Sequence, residues 1–217
     1  MNYHFLHELL DSAAAYEASQ QETNQEKNLQ GYIDWLTRKN QDWEDPTWQG
    51  KELGRSAESV ICTLLIHMGR YAKSYSKAAI EGSDFSTQDE FIFLINLKAH
   101  GSMTKMELIK LNKQEKPGGI QTINRLIKMG WINQVASQED KRAKLIHLTL
   151  KGEQALDAQM DKIRTATKIV SGNLTNIEKN QLIHLLTKLD LFHEPIYEMH
   201  PSSDHLLDIG IEKISTK

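Results

Sequence analysis

The chain has 217 residues, is 39% hydrophobic and carries a formal net charge of −3, enough apolar matter for a real core in one domain with appendages or in two small domains. Cys62 is the only cysteine, which excludes an intrachain disulfide and fits a reducing compartment. The longest apolar runs, Val60–Ile66 and Phe91–Leu97, fall far short of the ~18–20 residues of a membrane span, and MNYHFLHELL lacks the basic start and apolar run of a secretory signal. The expectation is a cytoplasmic protein with no membrane contact. With four prolines and twelve glycines, it is also expected to be mostly helical.

Two amphipathic helix patterns open the chain: Leu6, Leu9, Leu10 and Ala13, then Leu29, Tyr32, Ile33 and Leu36. Residues 39–53, KNQDWEDPTWQGKEL, read as a loop. A long helix is expected from about Arg55 to Ala79, with Ile61, Leu64, Leu65 and Met68 on one stripe continued by Tyr71, Ala72 and Tyr75, and Gly82 ends it. Thr87 and Glu90 have capping-box spacing and open a helix to His100. Thr104 and Glu107 repeat the device for a short helix to about Lys113. After Pro117, residues Ile120, Ile123, Leu126 and Ile127 mark another helix, closed by Gly130. Strands are expected at Trp131–Val135 and Lys144–Thr149, joined by the charged stretch SQEDKRA. Beyond Thr149 the pattern is helical again, with Leu156, Met160, Ile163 and Val170 on one face. A third capping pair, Thr175 and Glu178, opens a last helix lined by Leu182, Leu185, Leu186 and Leu189. The tail from Phe192 has weak periodicity, and mixed order is expected there.

Helix, short helix, turn, helix and hairpin in that order make a winged helix-turn-helix: a mostly α chain with a small β-hairpin wing. The charge distribution suits it. Lys98 to Lys151 carries +7 and the remainder −10, a basic lobe suited to phosphate on an acidic body. The outer face of the helix after Pro117 shows Gln121, Thr122, Asn124, Arg125 and Lys128. Gln and Asn can pair with adenine, and Arg and Lys can reach guanine or phosphate. Gly118 and Gly119 at its start would let backbone amides approach a phosphate. Composition alone does not separate this face from a solvated helix surface. Lys141, Arg142 and Lys144 lie where a wing tip would extend, and arginine suits a narrow minor groove. Asp140 could pin Arg142 or serve only as a turn former.

From Leu108 to Gly152 the sequence resembles the MarR family (multiple antibiotic resistance regulators) of winged-helix proteins. The resemblance is carried by Leu108, by Leu126 and Gly130 ending the recognition helix, by Asp140 and Arg142 in the wing, and by Leu148, Thr149 and Gly152 after it. It implies a transcriptional regulator, more often a repressor, that binds double-stranded DNA as a homodimer on a pseudopalindromic operator. Arg142 would enter the minor groove with Asp140 orienting it. Gln121, Thr122 and Arg125 would lie on the recognition helix. The implied layout is an N-terminal extension and loop over 1–53, a dimerisation helix in 54–82, the DNA-binding domain at 83–149, C-terminal dimerisation helices at 150–190 and a tail at 191–217. Gly118 and Gly119 stand where many members have a small hydroxyl residue followed by Val.

The resemblance also implies a small aromatic effector, with His67, Tyr71 and His100 as candidates by position. Cys62 could be an oxidant sensor, as in one branch of the family, but it lies in the apolar run VICTLLI, which would raise its pKa and leave it inert. His193, Glu194, His200, Asp204 and His205 match no zinc spacing, so a polar tail and no metal or other cofactor are expected. No phosphate loop or nucleophile elbow is present, so no enzyme is expected. The rival reading from another class is a winged-helix dimer that has lost DNA binding and serves as a protein-interaction module, using its acidic extensions.

Overall fold

A computed structural model describes residues 3–19, 28–40, 46–136 and 144–216. The chain divides into two compact units, residues 1–63 and 64–217. The first holds α1 (Tyr3–Ser19), α2 (Leu29–Asn40), a short 3₁₀ turn at Lys51–Leu53 and the start of α3 (Ala57–Ala79). The aromatic rings of Tyr16, Tyr32 and Trp35 meet at centroid distances of 5.6 to 6.1 Å and join α1 to α2. Gly31 lies under that cluster: a Cβ there would lie 2.3 Å from the Tyr16 hydroxyl, which would have to shift. The Trp48 indole donates to the Arg55 carbonyl at 2.7 Å, so the segment expected to be a plain loop is partly ordered by its tryptophan.

The second unit continues α3 into α4 (Gln88–His100), β1 (Met103–Thr104), α5 (Lys105–Leu111), α6 (Lys116–Lys128), β2 (Ile132–Ala136), β3 (Lys144–Leu148), α7 (Leu150–Asp157), α8 (Met160–Ser171), α9 (Asn176–Glu198) and α10 (Leu206–Ser215). Its core gathers Phe91, Phe93, Leu94 and Leu97 of α4 around Leu108, Ile123, Leu126, Trp131 and Ile146. The sheet is antiparallel in the order β1-β3-β2, with Ile146 of β3 opposite both Met103 and Gln134. The order helix, short helix, helix, hairpin is thus as expected, and the fold is a winged helix.

The structure differs from expectation in several places. β1 was not legible, because it is two residues long. The helical stretch after Thr149 breaks at Ala158–Gln159 into α7 and α8. The boundary at residue 190 falls inside α9, and the tail beyond it is largely helical. The reason is tertiary. Ile196 is buried, and Glu194 and Glu198 each pair at 2.6 Å with Lys113 and Lys110 of the α5 region. The Tyr197 hydroxyl donates to the Gln114 carbonyl at 3.0 Å. These contacts carry α9 through Pro195. Thr104–Glu107 and Thr175–Glu178 both form complete capping boxes. Thr87–Glu90 does not: the Thr87 side chain makes no cap, and Glu90 turns to other partners. Among the described residues, no helix is long and apolar enough to cross a membrane.

Candidate nucleic-acid interface

α6 is held by its inner face. Ile123 and Leu126 are buried, and Gly119 packs so closely on α5 that a Cβ there would sit 2.5 Å from Ile109 Cγ1. Gly119 is therefore a packing residue. Its amide already donates to the Glu115 carbonyl at 3.0 Å, which corrects the expectation that it would meet a phosphate. Gly118 is different. It is exposed, a Cβ placed on it would meet nothing within 4 Å, and its first-turn amide has no acceptor one turn back within the helix.

The outer face carries an exposed stripe at helical spacing: Pro117, Gln121, Asn124 and Lys128. Asn124 Oδ1 accepts from Lys105 Nζ at 2.9 Å, so α5 orients this amide. Thr122 is half-buried and donates back to the Gly118 carbonyl at 3.1 Å. Arg125 leans off the stripe. Its Nε donates to the Glu90 carboxylate, and Nη2 donates to the Asp84 carbonyl at 3.2 Å. Between α6 and the start of α4 lies a cleft of about 560 Å³, lined by Ser86, Thr87, Glu90, Gln121, Thr122 and Arg125 among others. Sequence reading missed Glu90 here, because a Glu three residues after a Thr is locally indistinguishable from a capping-box acid.

The hairpin root is fixed by Thr149 and Gly152. Thr149 Oγ1 donates to the Gly130 carbonyl at 2.7 Å and accepts from the Gly152 amide at 3.1 Å. A Cβ at Gly152 would fall 2.2 Å from the Trp131 carbonyl oxygen. The Leu-Thr-x-x-Gly pattern is thus a helix cap and a close backbone approach in one. Lys144 opens β3, exposed, opposite Ala136. The wing-tip candidates Asp140, Lys141 and Arg142 lie outside the described residues.

The other candidates are scattered. His67 and Tyr71 are exposed neighbours on α3, with ring centroids 6.5 Å apart, and His100 is the exposed last residue of α4. Cys62 is exposed on α3, so the apolar surroundings expected from VICTLLI do not enclose it in the single chain. Of the tail set, Glu194 is paired with Lys113, His200 meets the Tyr197 ring at 5.7 Å and His205 approaches Asp204 at 3.7 Å. No group of three or more His, Cys, Asp or Glu among the described residues is placed to hold a metal.

Comparison with known proteins places this geometry. Residues 85–152 match the family described as "Winged helix DNA-binding domain". Among solved structures, the chain is similar to a MarR mutant from E. coli complexed with operator DNA, at 20% identity and a TM-score of 0.56, covering 66% of this chain and 99% of that one. Bordetella bronchiseptica BpsR, whose DNA binding is regulated by 6-hydroxynicotinic acid, is 19% identical with a TM-score of 0.56 over 67% of this chain and 97% of its own. Sco3205 of Streptomyces coelicolor, a MarR family transcriptional regulator in complex with DNA, is 20% identical with a TM-score of 0.53 over 67% and 90%. Residues 85–152 thus match a winged helix DNA-binding domain, and the chain has the fold seen in MarR-family transcriptional regulators.

Proposed function

We propose that the protein is a transcriptional regulator that binds double-stranded DNA as a homodimer, acts as a repressor on a pseudopalindromic operator and is released by a small aromatic effector. The observation that carries the reading is α6, seated on α4 and α5 with Pro117, Gln121, Asn124 and Lys128 turned outward beside the hairpin. Such a stripe suits a major groove, with Lys144 offering charge to the flanking backbone, and the resemblance assigns Arg142 to the minor groove. Dimer formation is supported by exposed apolar residues on α3 (Ile61, Leu64, Met68) and α9 (Leu182, Leu186, Leu189), which one chain alone leaves in water. The regulation of BpsR by 6-hydroxynicotinic acid supports an aromatic acid as the effector class, with His67, Tyr71 and His100 as residues to test.

The test is fluorescence anisotropy against duplex DNA from upstream of the coding region, with scrambled competitor, at several salt concentrations. Competitor-resistant binding that falls steeply with salt is the expected result. Arg142→Ala weakens that binding and flattens its salt dependence; unchanged affinity at every salt concentration removes the wing assignment. The second reading, a protein-interaction module without DNA binding, is favoured by the engagement of Arg125 with Glu90, which takes a cation from the reading face. It predicts no competitor-resistant duplex and a protein partner whose capture depends on residues 1–53.

A further inference from the structure

Glu90 is the buried charged side chain of the described residues, 2% exposed, in the first turn of α4. One carboxylate oxygen accepts from Arg125 Nε and the other from the Ser86 amide at 2.7 Å. Arg125 uses a second nitrogen on the Asp84 carbonyl. Both oxygens of the acid and two of the three guanidinium nitrogens are therefore engaged, between the helix expected to read DNA and the loop that leads into α4.

Only Glu90 is buried, the Arg125 side chain being 43% exposed, so it is the loss of Arg125 that leaves an uncompensated charge out of water. Such a pair adds little net stability. It does add direction, which apolar packing lacks. Ile123 and Leu126 bury α6 against the core, and Gly119 sits close on Ile109, but all of these contacts are apolar and carry no direction of their own. Arg125 lies between Ile123 and Leu126 in sequence, and its planar fork reaches two acceptors at fixed angles. A rotation of α6 by roughly 20° would carry the outer side chains about 2 Å across the groove floor, given a helix radius of about 5–6 Å with side chains. That is enough to lose a hydrogen bond to a base edge.

We infer that Glu90 and Arg125 are positioning residues that set the rotation of α6 on α4, and so decide which bases Gln121 and Asn124 meet, while Arg125 supplies no phosphate affinity of its own. This role rests on the DNA-binding reading above.

The test uses the full chain as wild type, Arg125→Gln, Arg125→Lys, Glu90→Gln, the double variant E90Q/R125Q and Lys128→Ala. The duplex is DNA from upstream of the coding region. Lys128→Ala should lower the salt slope by about one unit. Arg125→Gln should leave the slope unchanged and cut the ratio of upstream to scrambled affinity about tenfold. Arg125→Lys should not restore that ratio, because an ammonium cannot span both acceptors. The double variant leaves no unpaired charge, so it keeps the readout open where Arg125→Gln, which strands the buried Glu90 carboxylate, fails to fold. A slope lowered by Arg125→Gln as far as by Lys128→Ala would make Arg125 a phosphate contact and overturn the inference. Amide hydrogen exchange, without DNA, separates this from failure of the DNA-binding reading. Faster exchange confined to α6 and residues 84–86 in the Arg125 variants supports the positioning role even if the wild type ignores the duplex. Exchange unchanged there, or raised evenly across the winged helix, overturns it.

Discussion

Three glycines, two in α6 and one after the hairpin, carry three different loads. Gly152 approaches the Trp131 carbonyl so closely that Gly152→Ala should destabilise the chain by about 1–3 kcal/mol, because the obstacle is backbone and cannot rotate away. Gly119 meets the buried, β-branched Ile109 side chain, so an alanine there would have to displace a core residue. Gly118 meets nothing, so Gly118→Ala should stabilise α6 by about 0.5–1 kcal/mol through helix propensity. Thermal melting of the two alanine variants checks both signs. If Gly118→Ala also lowers duplex affinity while raising the melting temperature, the Gly118 amide has a phosphate beside it. The sequence marks Gly152 through its place in Leu-Thr-x-x-Gly, but adjacent Gly118 and Gly119 look alike until Ile109 is placed beside one of them. Glu90 is hidden in the same way. Its local spacing to Thr87 suggests a cap, and only the fold brings Arg125 to it across the intervening chain.

The helices show the same division between local and distant causes. Thr104 and Thr175 cap as their spacing predicts, since every atom of a capping box lies within one turn. Thr104→Ala should therefore cost about 1 kcal/mol by denaturant unfolding. The end of α9 obeys distant causes: its periodicity fades after Leu191, yet Lys110, Lys113 and Gln114 hold it. That anchorage depends on pH. Lys110 beside Glu198, through a hydrogen bond first, holds its carboxyl below the usual carboxylate range. A carboxylate with a lowered folded value stabilises the fold above its unfolded value and loses that contribution as pH falls through the folded one. Lys113 is shifted upward by its hydrogen bond to Glu194, so its contribution is lost only in strong alkali, as pH rises through the raised value. On acidification below about pH 5, amides of residues 194–200 should exchange faster before those of α4 do. Glu198→Gln should remove most of that difference.

For the molecule as a whole, the apolar surface left in water is the largest unexplained quantity in one chain. α3 and α9 expose leucines and isoleucines at helical spacing, and α10 adds Leu206, Leu207, Ile211 and Ile214. The proposed dimer would cover the faces of α3 and α9. Leu186→Asp should then halve the mass seen in sedimentation and reduce duplex affinity at least tenfold, with the winged helix still folded by circular dichroism. A wild-type chain that sediments as a monomer at micromolar concentration would remove the homodimer. The winged helix was legible because its motif residues are close in sequence. The separation of residues 1–63 from 64–217 was not, because it falls inside one continuous helix, α3.

The pause in the helix at Ala158–Gln159 has a mechanical consequence. On its near side, α7 is joined to the hairpin root by Thr149 and Gly152, and to α4 by Lys98, which holds Glu153 and Asp157 at 2.9 Å each. The hairpin root, α7 and α4 are therefore tied to one another by side chains as well as by the core. On its far side, α8 begins anew. Ile163 and Ala166 of α8 return to the core that α4 and α6 share, so the two-residue pause turns the chain without releasing it.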